Sequence, residues 1–251
     1  MTPVSVSFDG PVTAARHAPV LASLPDHFRV VLSHADILVV DGTVPGWPSS
    51  CTGARAVLVD RPRPDDDDLP RGIELYADTG YAAAPIWAET LPRIQDSLDS
   101  AAALIESIVA VPCPDELADG LLTQLVMARS LLGTVAVELV TVDPDRGYVV
   151  TGKGDTASGV FLSLSGTVGP AGLALTTASP KERWRVDMPA HDSARPVSIA
   201  RFDATGTHTG RPRFESPRRA LWRGIHTARP STKTLLTDLA TVARILRERL
   251  L

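Results

Sequence analysis

Cysteine is nearly absent from these 251 residues: Cys51 and Cys113 are the whole complement. Two thiols are too few for a disulfide framework, and their separation has no zinc-like spacing, so both read as buried or incidental. Lysine is almost as scarce, with three residues, and arginine supplies the rest of the 25 basic side chains against 29 acidic ones. The resulting charge of -4 leaves no broad basic face for a phosphate backbone, which excludes nucleic acid as an expected partner. No apolar run approaches the ~18 residues that a membrane span requires. The N-terminus also lacks a basic region followed by an apolar core, so neither membrane nor secretion is signalled and a cytoplasmic protein is expected.

What is present is an ordinary globular balance, 44% hydrophobic and 22% charged, in a chain long enough for one large domain or two modest ones. The alternation Val4-Ser5-Val6-Ser7-Phe8 predicts a strand. Pro11 then opens a helix with Val12, Ala15, Val20 and Leu24 as its apolar contacts. Short β-branched runs at 28–32, 37–40, 54–59 and 73–77 have the character of buried parallel strands. Residues 86–98 read as a helix with a kink at Pro92.

The second half changes character. Residues 103–111 are strand-like, and Pro114-Asp115 starts a helix whose stripe Leu117, Leu121, Leu125, Ala128 and Leu132 ends at Gly133. Alternating runs at 135–142, 160–164, 173–177 and 184–188, separated by Gly and Pro, predict an antiparallel sheet. Leu235, Leu239, Val242, Leu246 and Leu250 form one face of a closing helix. The expected class is α/β plus α+β: a trimmed Rossmann-like domain over residues 1–100, then a domain over 101–251 built on a large, mainly antiparallel open sheet, with the last helix able to pack back on the first domain.

Three stretches in this order carry a family resemblance. Asp9-Gly10-Pro11-Val12-Thr13-Ala14 with His17 resembles the G-x-G-x-x-G-x-x-H turn of the Gfo/Idh/MocA oxidoreductases. Val57-Leu58-Val59-Asp60-Arg61-Pro62 resembles that family's strand ending in Glu-Lys-Pro, and residues 120–130 resemble its G-x-L-x-D-x-G-x-H-x-x-D helix. The resemblance implies a dinucleotide-binding domain followed by a sheet domain through which such proteins commonly assemble, so a homo-oligomer or a hetero-oligomer with a related oxidoreductase is the expected state.

The chemical residues of those motifs differ. The glycine positions hold Asp9, Pro11 and Ala14. Their carboxylate, missing N–H and added methyl all oppose a pyrophosphate seated on a helix N-terminus. No acidic residue follows at the ribose-binding distance, where Ser33 and His34 stand, and the nucleotide half looks shortened by a helix and a strand. Arg61 and Met127 replace the lysine and histidine that the resemblance assigns to proton transfer, and neither titrates near neutral pH. Thr123, Met127 and Ser130 share one helical face as a substrate-pocket remnant.

These differences predict a protein that takes no dinucleotide cofactor and binds a small molecule in specialised metabolism, as a non-redox enzyme or an accessory subunit. In the enzyme version Arg61 orients an anionic or carbonyl group while Asp60 or Tyr81 handles a proton. The competing reading is an NAD(P)-dependent imine or carbonyl reductase with an atypical nucleotide site. Other polar features read as structural: Asp65 to Asp68 as a solvated turn or helix start, His17 as a satisfied helix histidine, and Lys153 as a loop residue. His191, His208 and His226 are too scattered for a metal site, and no metal is expected.

Overall fold

The computed structural model describes residues 2–44, 46–47, 51, 53–63, 72–98, 103–143, 145–154, 159–190, 193 and 195–227. The aspartate run at 65–68, His191 and the closing helix expected over 235–250 lie outside the described residues. The chain divides into two units. One is built from the described residues up to Thr79 and from those beginning at Arg218, and the other from those between Gly80 and Pro217.

In the first unit, strands β1 (Val4–Phe8), β2 (Phe28–Val30), β3 (Ile37–Asp41), β4 (Ala56–Asp60) and β5 (Glu74–Ala77) form one sheet in the order β2-β1-β3-β4-β5. Every pairing in it is parallel. β4 is buried along its whole length, because apolar clusters cover both faces of the sheet. One contains Val6, Val39, Leu58 and Tyr76, and the other Val40, Val57, Val59 and Leu75. That double coverage is why the strands read as continuous apolar runs.

Helix α1 (Pro11–Ala22) starts at Gly10 with proline in its first turn. Its inward residues are Thr13, His17 and Leu21, spaced by four. Val12, expected as an apolar contact, is 52% exposed. The helix is therefore turned so that a histidine faces the sheet, an arrangement that needs polar partners inside. Between β2 and β3 there are only residues 31–36, with no helix. Asp36 secures that short return by accepting hydrogen bonds from the Ser5 backbone N–H (2.9 Å) and hydroxyl (2.6 Å).

In the second unit, helix α2 (Pro85–Leu98) buries Ile86, Trp87, Thr90, Ile94 and Leu98 along one stripe. Strand β6 (Ala103–Val111) alternates buried and exposed residues, and helix α3 (Leu117–Leu132) packs on its buried face. The helix approaches closely at Gly120, where a Cβ would stand 2.8 Å from the Val109 side chain. Strands β7 (Val135–Asp143), β8 (Gly147–Gly154), β9 (Val160–Val168), β10 (Gly172–Ala178), β11 (Glu182–Pro189), β12 (Ser198–Asp203) and β13 (Gly206–Thr209) complete an eight-stranded sheet in the order β13-β12-β11-β10-β6-β9-β8-β7. It is antiparallel except where β6 meets β9. Lys153, expected in a loop, lies in β8 opposite Phe161 and pairs with Glu138 at 2.7 Å. Beside it, Gly152 sits where a Cβ would come within 2.3 Å of the neighbouring strand. Here glycine serves strand packing rather than a turn.

One amphipathic element escaped the sequence reading. Helix α4 (Pro217–Thr227) belongs from Arg218 onward to the first unit, and its Trp222 is fully buried in the cluster with Val6, Phe28 and Leu58.

Candidate functional site

Open parallel sheets present ligands at the carboxyl ends of their strands, at the point where the strand order reverses. In this sheet that point lies between β1 and β3, because the chain runs from β1 out to β2 and returns beyond β1 to β3. α1 begins there. A Cβ at Gly10 would meet nothing within 4 Å, so the space beside the helix N-terminus is open. Ala14 closes the first turn by donating to the Gly10 carbonyl at 3.1 Å. Pro11 has no N–H, and the first-turn donors without an intrahelical acceptor are those of Val12 and Thr13. Asp9 and Ala14 flank this turn, so Asp9, Pro11 and Ala14 lie along one βα junction.

Three neighbouring strands reach this edge with an aspartate: Asp41 ends β3, Asp60 ends β4, and Asp78 follows β5. Each is held by an arginine from elsewhere. Arg61 donates to Asp41 and contacts Thr43 at 3.4 Å. Arg16 of α1 lies 3.1 Å from Asp60, and Arg218 of α4 lies 2.9 Å from Asp78. Burial works against ionisation of Asp41, but the Thr43 hydroxyl and N–H together with Arg61 outweigh it and leave the carboxyl below its ordinary value. Burial likewise opposes the Arg218 charge, and Asp78 with more distant Asp60 overcomes it.

His17 completes the cluster. It is fully buried, and its Nε2 stands 3.6 Å from Asp60 Oδ2, beyond hydrogen-bond length. Trp222 donates its indole N–H to His17 Nδ1 at 3.2 Å. An indole N–H can only donate, so Nδ1 is the acceptor and the neutral ring carries its proton on Nε2. One donor atom from each of His17, Asp60 and Asp78 lies within 4.8 Å of the others. A metal would need the lone pair at Nε2, which the Trp222 bond denies it, and two arginines already neutralise the carboxylates. The donor set suits a buried ion network, not a metal centre.

Of the residues read as candidates, Asp60 enters this network and Arg61 is directed to Asp41. Arg61 itself adopts φ 51°, which lets the chain turn sharply after β4. Gly42 makes that turn possible, since a Cβ there would lie 2.6 Å from the Arg61 carbonyl. Tyr81 is buried in the 3-10 turn Gly80–Ala83, which belongs to the second unit. On α3, Met127 and Thr123 are buried, and Ser130 donates to the Met127 carbonyl (2.7 Å) while accepting from the Trp87 indole (3.2 Å). A different residue, Gln124, is a buried polar anchor of that helix. It donates to Ser107 and Ser165 and accepts from the Tyr148 hydroxyl at 2.6 Å. Burial pushes the Tyr148 hydroxyl well above its ordinary value.

The sequence reading missed Arg16, Asp41, Asp78, Arg218 and Trp222. Their trace is visible in three apolar runs that each stop at an aspartate: Val39-Val40-Asp41, Leu58-Val59-Asp60 and Tyr76-Ala77-Asp78. The arginines come from helices that no local pattern connects to those strands.

The first unit has a parallel sheet with a helix N-terminus at its switch point, and the second a large mixed sheet backed by one long helix. Solved structures share this fold. KijD10, a 3-ketoreductase from Actinomadura kijaniata in complex with NADP and TDP-benzene, matches 97% of this chain and 96% of its own at 11% identity and a TM-score of 0.69. A dehydrogenase (MviM) from Clostridium difficile matches over 98% and 100% at 10% identity and a TM-score of 0.69. An oxidoreductase from Sinorhizobium meliloti matches over 98% and 97% at 10% identity and a TM-score of 0.71. No protein-family model matches the sequence, and no curated protein matches it. The chain has the fold of the Gfo/Idh/MocA oxidoreductases.

These comparisons correct two expectations from the sequence. A non-redox or accessory protein without a dinucleotide is contradicted by a fold shared, over nearly its whole length, with a reductase solved with NADP. The physical reason lies in the βα turn: a pyrophosphate is held by backbone N–H groups and needs open space. Gly10 leaves that space, and Val12 and Thr13 offer the donors, although the usual glycines are replaced. The residues thus fit the pyrophosphate part of a dinucleotide. The ribose carboxylate is not where the motif spacing puts it, since Asp36 turns to Ser5 at the opposite, amino edge of the sheet.

Proposed function

We propose that this protein is a cytoplasmic NAD(P)-dependent oxidoreductase that reduces a carbonyl or imine, with an atypical nucleotide site at the Gly10–Pro11 turn. The observation that carries the reading is the match, along nearly the whole chain, to a 3-ketoreductase solved with NADP. The open helix N-terminus at the switch point supports it. A bound reduced nucleotide would supply a hydride to the substrate carbon, with water supplying the proton that completes the alcohol or amine. The chain's own part at this edge is to hold the pyrophosphate by the Val12 and Thr13 N–H groups, with the Arg16, Arg61 and Arg218 pairs neutralising carboxylates that would repel it. Arg61 stays charged, and its part is to neutralise Asp41 rather than to transfer a proton.

Calorimetric titration with NADPH and NADH tests the reading. Binding in the micromolar range is expected. A Cβ at Gly10 would meet nothing within 4 Å, so Gly10→Leu should fill the open space and weaken binding about tenfold or more with little change in melting temperature. Failure of both nucleotides to bind at millimolar concentration would overturn the proposal.

A further inference from the structure

The second unit carries a cationic groove between α2 and the β11–β13 side of its sheet. A cavity of about 440 Å³ there is lined by Arg93, Arg201, Arg211 and Arg213, with Glu89 its one carboxylate and Trp184 in its wall. A second cavity of about 400 Å³ shares Arg93, Trp184 and Arg201 and adds Lys181 together with the carboxylates of Asp96 and Glu182, so the excess of positive charge lies in the first. In a chain of charge -4, four arginines converging on one recess form a strong local reversal of sign. Structural pairing accounts for part of it: Arg213 meets Glu89 at 2.7 Å, and Arg201 meets Asp203 at 2.8 Å. The Asp203 carboxyl is held at about 2, chiefly by the Thr205 hydroxyl and N–H, so that partner stays charged.

Two features remain uncompensated among the described residues. Arg93 and Arg211 have no ion pair there. Arg93 instead lies 5.6 Å from the centroid of the Trp184 ring, which Arg201 also overlies at 5.7 Å. Arg201 Nε is buried without a hydrogen-bond partner, its ion pair with Glu182 standing at 3.8 Å. Cation–π contact fixes a guanidinium by its face and leaves the in-plane N–H fork for an acceptor. Two guanidiniums on one buried indole, one of them with a buried unsatisfied donor, are a pre-formed receptor for a multi-oxygen anion. The recess has the size of a small-molecule site, unlike a flat protein contact.

We propose that this groove binds a small phosphate-bearing anion, with Arg93 and Arg211 as its principal donors and Arg201 Nε as a third. Trp184 holds the Arg93 and Arg201 forks in place. The site lies wholly within the second unit and does not depend on the nucleotide reading.

Inorganic pyrophosphate is the probe, titrated calorimetrically into the full chain in a phosphate-free buffer. Saturable sub-millimolar binding that weakens with added salt is expected. Arg93→Gln and Arg211→Gln should each weaken it about tenfold, the usual effect of losing one charge-assisted hydrogen bond. Gly10→Leu should leave it intact. Thermal melts confirm that each variant remains folded. Absence of pyrophosphate binding overturns the proposal, as does binding lost in Gly10→Leu but kept in the two arginine variants, which would place the anion at α1. Binding of an acidic peptide without binding of pyrophosphate would also overturn it, in favour of a protein partner.

Discussion

The two sheets bury charge and apolar surface in opposite ways. The five-stranded parallel sheet is covered on both faces, and its polar groups are drawn inside as the His17, Asp60 and Asp78 cluster with its arginines. The eight-stranded sheet is covered on one face by α3, while Leu104, Ile108, Val149 and Phe161 remain substantially exposed on the other. Pairing puts these residues on one surface: Leu104 opposes Phe161, and Ser165 lies between Ile108 and Val149. A sheet wrapped by helices can enclose ions only with exact partners, whereas an open sheet leaves apolar area for another surface to cover. We propose a second copy of this chain as the cover, since an exposed apolar face can bury itself against the same face of a two-fold mate.

The contrast is broken most directly at Trp222. Trp222→Ala removes a fully buried indole and the donor to His17, and should cost about 3–5 kcal/mol in denaturant unfolding. A loss below about 1 kcal/mol would mean that α4 contributes little to the first unit. On the open sheet the expected effect is on assembly. Phe161→Arg should halve the mass measured by light scattering and shift unfolding only slightly. A wild-type protein that is monomeric at micromolar concentration would remove the second copy from the account.

The smallest effect distinguishes the units by acid. In the first unit Asp36 is held below its ordinary value, chiefly by the Ser5 hydroxyl and then by the Ser5 N–H; in the second, Asp203 is held at about 2. A depressed carboxyl contributes stability that is complete above its unfolded value and is lost as pH falls through the folded one. Asp203→Asn should therefore flatten the loss of melting temperature between 3.8 and about 2. Asp36→Asn should flatten the loss that sets in as pH falls below 3.8. Unchanged acid profiles in both variants would show that these carboxylates titrate alike in folded and unfolded chains.

Local pattern was enough for most elements. Continuous β-branched runs marked the parallel strands, whereas Ala103–Val111 read only as strand-like, and its alternation of buried and exposed residues came from having one covered face. The stripe from Leu117 to Leu132 likewise announced α3. Residue identity misled at the nucleotide turn, where Asp9, Pro11 and Ala14 suggested a lost site. Open space at Gly10 is a property of surrounding backbone that no motif records. His17 was legible as a helix histidine, but its facing depended on Asp60, 43 positions on, and on Trp222, 205 positions on. By itself the sequence determined the order and type of the main elements, since those follow from spacing within ten or twenty residues. Only tertiary structure decided which charges meet and which donors stay open, because hydrogen bonds and ion pairs act over a few ångströms between residues that the chain holds far apart.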